Sequence, residues 1–129
     1  MPPEPEIMRL PALQHLVSPI RGTLRDESCP LELVAELHPT PAVCGFPRDA
    51  ALRLIAELEP FSRGLYAGVV GWLEPHGIET AVAIRSMLAR PDHTIAFAGA
   101  GVVAGSDPEL EDEETRTKLR SFLRAARWL

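Results

Sequence analysis

Apolar positions change their period along this chain, and each change marks a new element. Residues 1–11 hold four prolines and no usable period, so Met1 to about Ile7 reads as a loop or a truncated start. From Leu13 to Leu24 apolar and polar residues alternate as in a strand, and Pro19, which cannot donate to a ladder, marks an edge or a bulge. A short helix is expected after Ser28 and Pro30, with Leu33, Val34 and Leu37 on one side. His38-Pro39-Thr40-Pro41 forbids a helix through that point, because proline fixes φ and removes an N–H. That stretch is expected to be rigid without being regular. Pro47 can take a first helical position, and Ala51, Leu54, Ile55 and Leu58 then recur at the 3.6-residue period until Pro60.

After a turn at Ser62-Arg63-Gly64 the period shortens. Tyr66 to Glu74, Ile78 to Met87 and Thr94 to Gly99 are apolar, β-rich runs separated by His76-Gly77 and Arg90-Pro91-Asp92, the pattern of an antiparallel meander. The last element carries the clearest helix signals. Ser106 or Asp107 caps it, Pro108 opens it, acidic residues fill its first turns, and Lys118, Arg120, Arg124 and Arg127 fill the later ones, which complements the helix dipole at both ends.

Composition narrows the class. A length of 129 residues with 46% apolar content fits one globular domain and lies outside the disordered range. The net charge of −5, with no basic field, argues against a surface that neutralises nucleic-acid phosphates. No apolar run approaches the roughly 20 residues of a membrane span. Cys29 and Cys44 lack metal or redox spacing, and without a signal peptide they are expected to be free thiols in a cytoplasmic protein. Lys118 is the single lysine, so any amine chemistry has one candidate.

Several residues could carry chemistry. On the last helix, positions 111, 114, 118, 122 and 126 fall within about 120° of one another. Phe122 and Ala126, with Leu119 nearby, mark the buried side and place Glu111 and Glu114 at its inward edge. Two carboxylates so aimed could hold Mg²⁺, which takes oxygen ligands and keeps several waters; equally, an acidic first turn suits the helix dipole. Arg85, in an apolar strand, either faces solvent or forks onto an anion. Ala98-Gly99-Ala100-Gly101 leaves backbone N–H groups unobstructed, as in an anion-binding nest or an ordinary strand-end turn. His38 sits on a stiff loop and Tyr66 at a strand start, where structural roles are the default.

Taken in order, these blocks resemble the chorismate-utilising enzymes. The resemblance runs through His38-Pro39-Thr40-Pro41-Ala42-Val43-Cys44-Gly45-Phe46-Pro47, Ala56-Glu57-Leu58-Glu59-Pro60, Tyr66-Ala67-Gly68-Val69-Val70-Gly71-Trp72, Val82-Ala83-Ile84-Arg85, Ala98 to Val103, Ser106-Asp107-Pro108-Glu109, and Glu111, Glu114-Thr115 and Lys118. It covers about residue 13 to the C-terminus. The H-P-T-P-A form of the first block is similar to isochorismate synthases, whereas the anthranilate and aminodeoxychorismate enzymes carry an F-P-x-G-S/T type of sequence there; Cys44 stands where Gly or Ser is usual, and a salicylate or anthranilate synthase type is the alternative.

The resemblance implies an α+β fold of two packed antiparallel sheets and flanking helices, of which this chain supplies the C-terminal part as a partial domain over 1–129. It implies that Glu114, with Glu111 near it, coordinates Mg²⁺. It also implies that Arg85, Tyr66, Lys118 and the backbone of Gly99, Ala100 and Gly101 hold substrate carboxylates, and that His38 lies near the departing hydroxyl. The family's base lysine, acid glutamate and a further metal glutamate belong to the preceding part of the domain, so a separate chain supplying that part is an expected partner. An exposed apolar surface is expected where that part would pack. The pathway served, through menaquinone, siderophore or salicylate, is left open.

Overall fold

A computed structural model of the chain describes residues 4–10, 13–24, 29–75 and 77–125. The elements are β1 Glu6–Leu10, β2 Leu13–Val17, α1 Pro30–Leu37, α2 Pro41–Cys44, α3 Arg48–Leu58, β3 Val69–Glu74, β4 Gly77–Val82, β5 Ser86–Ala89, β6 Thr94–Phe97 and α4 Pro108–Ala125. Helices and antiparallel strand pairs mix along the chain, as in an α+β protein.

The strands form three separate two-stranded sheets, β1 with β2, β3 with β4, and β5 with β6. The first corrects the reading of the opening residues as a loop: β1 occupies the proline-free span between Pro5 and Pro11, and Ile7 lies opposite Leu16. The two strands are only two residues apart in sequence, but the prolines at 2, 3, 5 and 11 break up the alternation that would announce the first of them. The strand expected to reach Leu24 stops at Val17, short of Pro19.

The expected three-stranded meander is also corrected. The apolar run from Ile78 to Met87 breaks at Ala83–Arg85 into β4 and β5, which lie in different sheets. Ile84 N–H donates to the Val82 carbonyl at 2.8 Å, a tight reversal, and Arg85 takes a left-handed φ of 48°. Neither glycine nor proline marks this corner, so the sequence pattern runs straight through it. Ahead of the corner, Ala67 (φ 62°) donates to the Ala83 carbonyl at 2.9 Å and Ala83 donates to Gly68 at 2.8 Å, which prolongs the β3–β4 ladder irregularly.

The helices begin much as their signals suggest. The Glu32 carboxylate accepts the Cys29 N–H at 3.3 Å at the start of α1. Pro47 stands one position ahead of α3, as its N-cap. The segment from Pro41, expected to be irregular, makes one helical turn, because a proline at the first position sacrifices an N–H that has no helical acceptor anyway. Asp107 rather than Ser106 caps α4, its Oδ1 accepting Glu109 N–H at 2.9 Å and Leu110 N–H at 3.2 Å. Leu119 and Phe122 are half-buried, while Ala126 lies outside the described residues.

Burial is sparse. Among the described residues only Cys44 and Ala67 are buried, and every position of β3 is exposed, with Trp72 at 57% and Leu73 at 62%. The accessible surface is 11341 Å², whereas a compact monomer of this mass exposes about 6,700 Å². The expected exposed apolar surface is therefore present. Besides the hairpins, the main element contacts are α2 on α3 and α4 on β6.

Close strand approach sets one requirement that can be checked. A Cβ at Gly71 would stand 2.1 Å from the Glu79 carbonyl oxygen, whereas one at Gly77 meets nothing within 4 Å. Gly71→Ala is expected to cost about 1–3 kcal/mol, the usual penalty for forced overpacking. Hydrogen exchange should show lost protection across β3–β4 in that variant and near-normal protection in Gly77→Ala.

Candidate functional site

A pocket of 440 Å³ opens where the α2 loop, the turn after α3, the β4–β5 corner, the segment after β6 and α4 meet. Its walls carry Tyr66, Arg85, Gly99, Ala100, Gly101 and Lys118, six of the nine residues named from sequence. His38, Glu111 and Glu114 do not line it.

Tyr66 is fixed by aromatic packing. Its ring stacks on Phe97 with centroids 5.4 Å apart and 14° between planes, and Phe61 closes on Phe97 from another side at 6.2 Å. A Cβ at Gly99 would lie 2.8 Å from the Tyr66 hydroxyl, so glycine is what lets that hydroxyl rest against the backbone. Gly99 also accepts, through its carbonyl, a 2.8 Å hydrogen bond from Lys118 Nζ.

Lys118 links this wall to the acidic end of α4. One turn back along the helix, Glu114 Oε1 pairs with its Nζ at 2.5 Å. The hydrogen bond from Lys118 and its charge hold the Glu114 carboxyl below its ordinary pKa against the opposing effect of desolvation, and Arg85 adds a lesser pull in the same direction as Lys118. Arg85 thus acts on the same corner, from a backbone conformation that non-glycine residues rarely adopt and that concentrates at functional sites.

Glu111 is committed differently. Its Oε1 accepts from Ser106 Oγ at 2.8 Å, and that hydroxyl in turn accepts the Val103 N–H at 3.1 Å, tying the glycine-rich segment to α4. His38 ends α1, its N–H donating to the Val34 carbonyl at 2.9 Å, and its own carbonyl accepts from Arg48 Nη2 at 2.5 Å. It sits two residues from Thr40, which does line the pocket.

Among the described residues no three His, Cys, Asp or Glu side chains cluster as a metal site. Glu111 and Glu114 offer the all-oxygen donors that Mg²⁺ takes, and that ion keeps several waters. As a donor set they fit part of its coordination shell.

Sequence reading missed Glu59 and Arg63, which line the pocket too. Arg63 Nε and Nη2 donate to the two Glu59 carboxylate oxygens at 2.7 and 2.5 Å, and Nη1 donates to the Val43 carbonyl at 2.9 Å. Hydrogen bonding to Glu59 raises the Arg63 pKa further above an already high value. Their spacing of four residues was a signal, but Pro60 lies between them and makes the stretch read as a turn.

An α+β chain that gathers an arginine, a lysine and open glycine backbone around one pocket has the parts of a carboxylate-binding protein. The chain belongs to the chorismate binding enzyme family, whose model matches residues 1–127. Within it, the chain groups with isochorismate synthases. It is 48% identical over 127 residues to isochorismate synthase DhbC of Bacillus subtilis, which covers 97% of this chain and 32% of that protein. It is 44% identical over 124 residues to isochorismate synthase EntC of Escherichia coli, covering 95% and 32%. With isochorismate synthase MenF of Bacillus subtilis it shares 42% over 125 residues, covering 96% and 26%. The chain spans about a third of the length of the curated relatives it matches. No helix among the described residues is long and apolar enough to cross a membrane.

The Lys118 contact makes Glu114 a sensitive reporter. A lowered folded pKa means that the ion pair persists above that value and is lost as pH falls through it. Lys118→Met is expected to raise the Glu114 titration midpoint toward that of an ordinary glutamate, as read by carboxyl-carbon NMR across an acid titration. An unchanged midpoint would show that Lys118 does not hold this carboxylate.

Proposed function

We propose that this chain supplies the substrate-carboxylate side of an isochorismate synthase, which converts chorismate to isochorismate with Mg²⁺. The observation that carries the reading is the meeting of Arg85, Lys118 and the Gly99–Gly101 backbone in one pocket, in a chain that matches isochorismate synthases along nearly its whole length. Chorismate is a dicarboxylate on an apolar ring. The Arg85 fork suits one carboxylate bidentately and the Lys118 ammonium adds a point charge. The backbone of Gly99, Ala100 and Gly101, which lines the same pocket, would add N–H donors, and Tyr66 offers a hydroxyl beside Gly99.

Glu114 and Glu111 would hold Mg²⁺, which when bound supplies charge neutralisation for a ring carboxylate. His38, on the stiff loop beside Thr40, would lie near the hydroxyl that leaves C4 as water adds at C2; one water enters and one leaves, so the net change is an isomerisation. Holding the ring in one pose is the contribution of this chain's own residues. The base lysine, acid glutamate and further metal glutamate implied by the family resemblance have no counterpart here. The single lysine, Lys118, sits on the Gly99 carbonyl and Glu114.

Those groups would come from the complementary part of a chorismate-binding domain, in the same polypeptide or in a separate chain, packed on the exposed apolar faces. A second reading, a chorismate-binding module without turnover, is favoured by the engagement of that lone lysine.

The test uses the chain with and without the complementary part of a relative. Chorismate binding by calorimetry with Mg²⁺ is expected for the assembly, weakened at least tenfold by Arg85→Ala. Isochorismate should form only in the assembly. Turnover by the chain alone would overturn the missing-base argument, and binding without turnover in the assembly would select the second reading.

A further inference from the structure

We propose that Arg63 is a positioning residue that sets the pose of Tyr66 and of the loop at residues 40–43, so that separate walls of the pocket hold one geometry. The proposal rests on the reading of that pocket as the chorismate site. Arg63 spends its donors on three partners that are distant in sequence or in kind. Two go to Glu59 just past α3, one goes twenty residues back to the Val43 carbonyl, and the guanidinium carbon lies 5.7 Å from the Tyr66 ring centroid.

The Val43 carbonyl is one of the last in α2, a four-residue helix that cannot satisfy those carbonyls internally. A guanidinium therefore closes the end of α2. Exposed i,i+4 ion pairs are worth little, but these side chains are only 25% and 26% exposed, and a surface pair has no need of a third donor on a remote carbonyl. From Arg63 the contacts run on through Tyr66 to Phe97 and Gly99, and from the Gly99 carbonyl to Lys118. Lysine cannot replace Arg63, because a point charge does not reach a carboxylate, a carbonyl and a ring face at once.

Tyr66 is the only tyrosine in the chain, so a ring-labelled tyrosine sample reports on this residue alone. In the unsubstituted chain, stacking on Phe97 should displace its ring-proton NMR signals upfield. Arg63→Lys is expected to remove at least half of that displacement while signals from residues elsewhere on α4 stay in place. Glu59→Gln, which leaves Arg63 present, should shift Tyr66 in the same direction and decides the matter if Arg63→Lys fails to fold. Arg116→Lys, at an exposed ion pair on α4, should leave Tyr66 unmoved.

Each sample is then titrated with chorismate and Mg²⁺ in the presence of the complementary domain part, with affinity expected to fall at least tenfold in Arg63→Lys. Tyr66 signals and affinity both unchanged in Arg63→Lys and Glu59→Gln would overturn the positioning role. If chorismate binds neither the unsubstituted protein nor the variants while Tyr66 still responds to Arg63, the chorismate reading fails and the positioning of Tyr66 stands.

Discussion

Hydrophobic burial is the dominant favourable term in most domains, and here it is scarce: only Cys44 and Ala67 are buried among the described residues. The strands carry ordinary apolar side chains, but they form three separate two-stranded sheets, and every position of β3 is exposed. Geometry at the pocket is consequently held by directional contacts. Arg63 joins α2, the end of α3 and the Tyr66 ring, and Lys118 joins α4 to the segment after β6. Charge-assisted hydrogen bonds of this kind are geometrically specific and roughly twice as strong as neutral ones.

The same scarcity of core explains where the chain spends unfavourable backbone conformation. Ala67 and Arg85 both have left-handed φ; Ala67 takes part in the irregular pairing with Ala83, and Arg85 lies two residues beyond Ala83. That corner takes the chain from one sheet to the next and sets Arg85 on the pocket wall. Gly99 meets a related demand without strain, since its missing side chain leaves room for the Tyr66 hydroxyl.

The chain belongs to the chorismate binding enzyme family and spans about a third of its relatives' length. The exposed faces of β3 and β4 and the carboxylates of α4 then have a common explanation. On the reading proposed above, each is one side of an arrangement whose other side would lie in the complementary part of the domain.

How much was legible differs residue by residue. The periods of α3 and α4, the acidic start of α4 and its cap near Asp107 could be read directly, because helix periodicity and capping depend on neighbours a few positions away. The ordered motifs also named Tyr66, Arg85, Gly99 to Gly101 and Lys118, which share one pocket. The sequence by itself thus determined local structure and the chemical groups available. Tertiary structure decided that β1 pairs with β2, that one apolar run divides at Arg85, that His38 stands off the pocket wall, and that Arg63 reaches back to Val43. The reach of Arg63 to Val43 and the assembly of the pocket depend on contacts between residues remote in the chain, which leave no period around them, whereas the β1–β2 pairing and the division at Arg85 are set among neighbours by backbone conformations that the side-chain pattern does not encode.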